Sequence, residues 1–406
     1  MLLTEQKQQF SEILNLLSQT LDISETEFNA AVRSYEAVGK WLSKEDSLLA
    51  PYMPQIRPQG SFMLGTMIRA FNGKDHLDID LVCQLLGKRP DWSQYDLKQA
   101  VGNQLKRNEI YCRMLESPDG RRCWTLMYAE EKYHMDILSS LVAKDYQIIL
   151  ERSLSAKDVS SFENLAMRIT DKLETGYKTV TDPLYWLLSN PFGYGIWFFT
   201  KASLDSFKQL KLSEAVSPVP KYQKEKLPLQ QAVQILKRHR DIMFDGDEDK
   251  PISIIITTLA AKAYNKETNV LDALVNIIQR MPLYIEERFD APNNKKIKWI
   301  GNPVNDQENF ADKWPIAPQK EKNFYAWVNK LQIDLEDITN QRGLHLIQES
   351  MAASFGDKPV AVTFNKYGEQ MRLLRENGKQ FMAAKTGIIG AIGTVVKNHN
   401  FHGKIE

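Results

Sequence analysis

The sequence predicts an α+β protein of two lobes, a mixed sheet followed by a bundle of helices, and three observations carry that reading. Apolar residues recur at spacings of three and four over residues 28–42. Short strand-like runs with period-two alternation follow between about residues 54 and 141. From residue 229 onward helical patterns dominate. The length suits this division: 406 residues is roughly two or three domain-equivalents, each able to bury a core.

Composition narrows the function classes. Lys and Arg number 52 against 51 Asp and Glu, so the net charge of +1 excludes a strongly basic nucleic-acid coat or an acidic disordered tail. With 10% aromatic residues the chain is not a low-complexity polymer. Cys83, Cys112 and Cys123 make neither a disulfide framework nor a paired metal-ligand spacing. Lying in apolar or strand-like runs, they are expected as buried thiols in a reducing compartment. No basic segment followed by an apolar stretch opens the chain. The apolar stretches at 186–199 and 387–396 fall short of the roughly 20 residues of a membrane span. A soluble, cytoplasmic protein is expected.

Taken in order, the first 50 residues read as helix, with Phe28, Val32, Tyr35, Val38 and Leu42 forming the stripe of one long amphipathic helix. Leu77–Leu85 alternates as a strand whose odd positions are apolar, leaving Asp78, Asp80 and Gln84 on the other face. A helical segment near Trp92–Arg107 follows, then strands at Arg122–Tyr128 and Tyr133–Leu141, the first preceded by the turn Ser117-Pro118-Asp119-Gly120. Residues 213–228 read as a connector, which places one lobe at 1–212 and the other at 213–406. Helices are predicted at Leu229–Phe244, Ile252–Tyr264, Val270–Met281, Glu321–Asp337 and Gln341–Ala353. A ligand cleft is expected at the junction.

The chemistry concentrates in two places. Gln59-Gly60-Ser61 forms a turn whose amides and hydroxyl can cradle phosphates. Asp78-Ile79-Asp80 puts two carboxylates on one strand face, roughly 6.6 Å apart along the chain. Such a pair repels itself unless a hard divalent cation sits nearby. Asp136 supplies a third carboxylate on a later strand. If the strands are neighbours, three carboxylates converge and can hold two cations about 3.5–4 Å apart, the arrangement of metal-assisted phosphoryl transfer. Either half alone has a bland explanation: Asp-x-Asp occurs by chance at strand ends, and Gly-Ser is a common helix cap. Their joint occurrence favours function.

Gly60-Ser61, Asp78-Ile79-Asp80 and Asp136 together resemble the signature of the polymerase-β-like nucleotidyltransferases, and more narrowly of the bacterial CD-NTases (cGAS/DncV-like enzymes). The resemblance spans about residues 50–315. It includes Ser189-Asn190-Pro191, the run Lys237–Asp241, Pro251-Ile252-Ser253, and Asn302-Pro303-Val304 followed by Glu308-Asn309-Phe310. It implies a bilobed fold with a C-terminal lobe like that of oligoadenylate synthase. It also implies that Asp78, Asp80 and Asp136 bind two Mg²⁺ ions, with Mn²⁺ as a substitute, and that Asp136 helps deprotonate the acceptor ribose. By the same resemblance Gln59, Gly60 and Ser61 would hold the donor triphosphate, and Lys237 and Ser253 would contact it. Asn190 would lie near the nucleobase and Asp306 near the acceptor.

Composition alone reads Lys237 as part of a solvated basic run and Ser253 as a helix cap; His134 and His239 read as structural or surface groups. Tyr185 to Phe199 reads mostly as core aromatics, and Lys295, Lys296 and Lys298 as an exposed turn. The implied function is synthesis of a cyclic di- or trinucleotide from nucleoside triphosphates, ATP among them, in bacterial anti-phage signalling (CBASS). The product would act on a separately encoded effector, with a regulatory protein partner possible and no zinc-dependent DNA sensing. Two alternatives stand beside it: a transferase acting on an RNA end, tRNA or protein, and a catalytically silent nucleotide-binding regulator.

Overall fold

A computed structural model describes residues 2–70, 77–130, 133–143, 165–204, 221–291, 293–390 and 393–396. In chain order its main elements begin with α1 (Thr4–Leu21), α2 (Glu25–Leu42), β1 (Gln55–Pro58), α3 (Gly60–Leu64) and β2 (Leu77–Leu85). Next come α4 (Gln94–Lys106), α5 (Glu109–Met114), β3 (Cys123–Tyr128), β4 (Tyr133–Leu141), β5 (Met167–Ile169), β6 (Leu188–Ser189) and α6 (Pro191–Ala202). Then follow α7 (Pro228–Phe244), α8 (Ser253–Ala263), α9 (Val270–Arg280), the hairpins β7 (Glu286–Asp290) with β8 (Lys295–Trp299) and β9 (Gly301–Asn302) with β10 (Asn305–Asn309), and α10 (Pro318–Asn340), α11 (Leu344–Phe355) and α12 (Asp357–Glu376).

The chain forms two compact units. One holds Ile23–Gln230 and Glu286–Asp312, the other Met1–Asp22, Gln231–Ile285 and Lys313–Glu406. Each is thus built from separated chain segments. The expected boundary at 212/213 lies outside the described residues.

In the first unit β2 is central, antiparallel to β1 and parallel to β4, and β4 pairs antiparallel with β3 and β5. The period-two alternation fixes which face is which. Ile79, Leu81, Cys83, Met135, Ile137, Trp124 and Leu126 face a core completed by Phe28, Tyr35, Val38 and Leu42 of α2 and by Leu97, Val101 and Leu105 of α4. Helix α2 starts where Ser24 and Glu27 form a reciprocal capping box, a device worth about 1 kcal/mol. With both helices on one face, the opposite face of β2 and β4 carries the carboxylates.

The second unit is helical. Gln234 on α7 receives a hydrogen bond from Ser18 Oγ (2.8 Å) and donates one to Asp22 (3.1 Å), joining α7 to the end of α1. His239 pairs with Asp334 of α10 at 2.9 Å, a structural role. Several expectations need correction. The basic run Lys237–Arg240 is not solvated: all four residues are buried, along with Leu229, Val233 and Leu236. Cys112 is exposed and Cys123 half-buried, so only Cys83 is a fully buried thiol. Lys295, Lys296 and Lys298 belong to strand β8 rather than to a turn. The aromatic cluster, by contrast, is core as expected apart from the exposed Tyr185, with most of its rings on helix α6. Among the described residues no helix is long and apolar enough to cross a membrane.

Candidate active site on the open face of the sheet

Strands β2 and β4 run parallel in a register that sets Asp80 directly beside Asp136 and Asp78 beside His134. Neighbouring strands lie about 4.8 Å apart, so these side chains leave the same face as close neighbours. Hairpin β3–β4 adds Thr125 opposite Asp136. Its hydroxyl donates to Asp136 Oδ1 at 2.5 Å, holding that carboxylate in one orientation. Burial, with the negative charges of Asp78 and Glu116, raises the Asp136 carboxyl above its usual range despite Thr125 and His134. His134 Nε2 is in contact with Asp78 Oδ1. That contact raises its imidazole above the ordinary value in spite of burial.

The Gly-Ser turn is built against this pair. Gln59 N–H donates to Asp80 O at 2.8 Å, continuing the β1–β2 ladder to the edge of the site. Gly60 then takes φ +58°, in the left-handed region, and starts α3. A Cβ at this residue would lie 3.2 Å from Asp80 Cγ and closer still to Oδ2. Only glycine satisfies both the conformation and the close approach. Ser61 follows in the first turn of α3, where its carbonyl accepts from Thr66 N–H at 3.0 Å. Gln59 precedes the helix and makes no side-chain cap.

Among the described residues no three His, Cys, Asp or Glu side chains stand close enough to enclose a cation as they are oriented. The reason is local: Asp78 is drawn to His134 and Asp136 to Thr125. The donors nevertheless suit a hard divalent ion. They are carboxylate oxygens on adjacent registered positions, and one of them is a half-buried carboxyl whose raised proton affinity a cation would offset. Cys123, two residues before Thr125, is no competing soft ligand. Burial first, then the charges of Asp136 and Asp80, push its thiol up to about 12.

The remaining predicted residues have other surroundings. Asn190 is buried and caps α6, its Oδ1 accepting from Gly193 N–H at 2.9 Å. Asp306 is exposed on β10 and pairs with Arg288 at 2.9 Å. Lys237 and Ser253 belong to the helical unit. There Lys237 is buried, and Ser253 is the first residue of α8, its hydroxyl accepting from Arg240 at 3.0 Å. Ser253 is not the cap, a position taken by Ile252.

Sequence reasoning missed Thr125, although extending the β3–β4 hairpin from Tyr128↔Tyr133 places it opposite Asp136. It read His134 as structural or surface, yet the register puts it beside Asp78. It also missed a buried anchor: Asp171 is fully buried and accepts from Arg121 Nε at 2.6 Å and Arg122 Nε at 2.7 Å. No sequence signal joins Asp171 to a pair of arginines some 50 residues earlier.

Residues 54–139 match a family described as the nucleotidyltransferase domain of cyclic GMP-AMP synthase DncV-like proteins. Over 386 residues the chain is 29% identical to a c-di-GMP synthase of Roseivirga ehrenbergii, covering 94% of this chain and 93% of that one. It is 23% identical over 391 residues to the cyclic dinucleotide synthase CdnG of Bradyrhizobium diazoefficiens, covering 89% and 86%. Among solved structures, the Bradyrhizobium diazoefficiens CD-NTase CdnG in complex with GTP superposes with a TM-score of 0.66 at 20% identity, over 88% of this chain and 97% of that one. The Escherichia coli CdnC:HORMA-deltaN complex gives 0.54 at 13% identity, over 85% and 96%. The likeness to these structures is one of fold.

Proposed function

The chain belongs to the CD-NTase family of nucleotidyltransferases, and from that premise we propose that it condenses nucleoside triphosphates into a cyclic dinucleotide. A ribose 2′- or 3′-hydroxyl attacks an α-phosphate, pyrophosphate leaves, and a second such transfer closes the ring. The single observation that carries this reading is the register of Asp80 beside Asp136, with the Gly60-Ser61 turn pressed against Asp80.

Asp78, Asp80 and Asp136 would hold two divalent ions, Mg²⁺ in the cell, which offset the charge of the triphosphate and of the departing pyrophosphate. The chain's own residues position and move protons. Asp136, raised above the ordinary carboxylate range and oriented by Thr125, is suited to take the proton of the attacking hydroxyl. Ser61 and its turn hold the donor triphosphate, and Gly60 keeps Asp80 in place. Lys237 and Ser253 are proposed as further phosphate contacts on the ground of the family resemblance of the Lys237–Asp241 and Pro251-Ile252-Ser253 segments.

The names of the relatives, a c-di-GMP synthase and a CdnG solved with GTP, favour guanine nucleotides as substrates. The cellular role proposed is cytoplasmic anti-phage signalling through a separately encoded effector. A relative's complex with a HORMA protein is the precedent for a regulatory partner. The test is direct: incubate the purified protein with labelled GTP, ATP and their mixture plus Mg²⁺, and analyse phosphatase-resistant products by mass spectrometry. Formation of cyclic dinucleotide supports the reading. Linear products, products only with an added RNA or protein acceptor, or none under any mixture would overturn it.

A further inference from the structure

Behind the carboxylates, on the face of the sheet that α2 covers, lies a cavity of about 350 Å³. Its lining comes from α2, from α5 with its Asn108 cap, and from Tyr128 and Tyr133, which pair in the β3–β4 hairpin. All of these belong to one compact unit. Room exists because α2 turns small side chains this way: Ala30, Ser34 and Ala37 recur at spacings of four and three, a single stripe of the helix. The rest of the lining is largely aromatic. Tyr128 and Tyr133 stack with ring centroids 4.6 Å apart, and the Tyr133 hydroxyl donates to Ser34 Oγ at 2.6 Å. Tyr111 of α5 is half-buried, and Ile110 beside it is left 60% exposed. The volume falls in the range of small-molecule sites. It is more than twice the roughly 150 Å³ that holds one benzene ring, so two fused rings with a substituent fit.

The polar groups at this cavity are donors. Arg33, exposed on α2, has no hydrogen bond or ion pair among the described residues. Asn108 accepts through Oδ1 from the Ile110 and Tyr111 N–H groups at 2.9 and 3.2 Å, which leaves its amide nitrogen as the open end. Burial raises the Tyr111 phenol above its ordinary value, so it keeps its proton, and it has no acceptor among the described residues. Among the described residues no Asp or Glu lines the cavity. One cation and two open donors with no carboxylate select negative charge, while ring faces select a flat apolar body. An aliphatic neutral molecule would leave the donors unanswered, and a bare inorganic anion would leave the apolar lining uncovered.

We propose that this cavity is a second ligand site, which takes a planar aromatic molecule bearing one anionic group. Tyr128 and Tyr133 give the ring a wall, Ala30 and Ala37 give it room, and Arg33 with Asn108 binds the anion. The site shares no residue with the carboxylate face, so its test stands apart from the nucleotidyl-transfer reading.

The probe is 2-naphthoate, with its uncharged counterpart 2-naphthamide, measured against the full chain by equilibrium dialysis. 2-Naphthoate should saturate a single class of site and bind about tenfold or more tightly than the amide, the worth of a charge-assisted hydrogen bond. Arg33→Met should erase that preference. Ala37→Phe, which places a ring in the cavity, should abolish binding of both probes. Both substitutions fall at exposed positions of α2. Competition then reads the source of the anion: displacement of bound 2-naphthoate by guanosine 5′-monophosphate supports a phosphate-bearing ligand at this site, and retention of the probe supports a carboxylate. Absence of saturable binding, equal affinity for acid and amide, or binding that survives Ala37→Phe overturns the proposal. The wild-type comparison of acid with amide decides the matter even where a variant does not fold.

Discussion

Replacing Gly60 with alanine isolates the step on which the site depends, because the residue is constrained twice. Its φ of +58° costs an L-residue roughly 1–2 kcal/mol. The new Cβ would also stand 3.2 Å from Asp80 Cγ and nearer to Oδ2, so the carboxylate or the turn must shift. Gly378 provides the control, since it has φ +64° and open space around its would-be Cβ. Both variants should lose about 1–2 kcal/mol of stability, several degrees in a thermal melt. Only Gly60→Ala should also lose turnover. A carboxylate displaced by about 1 Å can cost on the order of 10²-fold in rate. The assay pairs differential scanning fluorimetry with a single-turnover measurement of pyrophosphate release. If Gly60→Ala retains more than about a third of wild-type turnover while melting like Gly378→Ala, the turn does not set Asp80 and the site has been misread.

Asp80→Asn should abolish product formation and leave the melt within about 2 °C, since it removes one of two neighbouring negative charges rather than a packing contact; a collapse of the fold would assign Asp80 a structural role instead. Asp136→Asn should melt higher than wild type in the presence of a chelator, with a pH signature. The folded carboxyl has a raised pKa, so the folded state binds its proton more tightly and the wild type loses stability as pH rises from about 4 through that pKa. Asparagine has no such loss, so the gain grows across that interval and then levels; a difference independent of pH would contradict the assignment. Lys98→Met should cost about 2 kcal/mol, a melt lowered by about 4–8 °C. It removes a fully buried ammonium 2.9 Å from Asp119, although Lys172 at 2.7 Å still partners that carboxylate.

Much of the sheet unit was legible because its signal is local. The alternation in Leu77–Leu85 and Tyr133–Leu141 identifies both strands and puts Asp78, Asp80 and Asp136 on the polar face. What alternation cannot give is register between strands, and register is what brings Asp80 beside Asp136 rather than one pleat away. The β7–β8 hairpin was hidden because Lys295, Lys296 and Lys298 on an exposed strand look like turn decoration. Helix α6 was hidden because Phe192, Tyr194, Trp197, Phe198 and Phe199 lack an amphipathic period, being buried on most sides. The basic run of α7 misled for the opposite reason: a charged tetrad reads as solvent-facing, yet partners from distant segments bury it, as Asp334 does for His239.

The same distinction bears on the carboxylate face of the sheet. Among the described residues Thr125 anchors Asp136 and His134 contacts Asp78. Each contact fixes direction while using one oxygen of its carboxylate. A site built only for stability would close such groups on one another, as Lys98, Asp119 and Lys172 do nearby. Half-satisfied charge in a partly buried setting costs free energy in the absence of ligand, and binding recovers that cost. Mg²⁺ with GTP should therefore stabilise the chain by more than the affinity of either added alone implies. Strictly additive melt shifts for the metal and the nucleotide would mean that the open groups are not what the ligands satisfy.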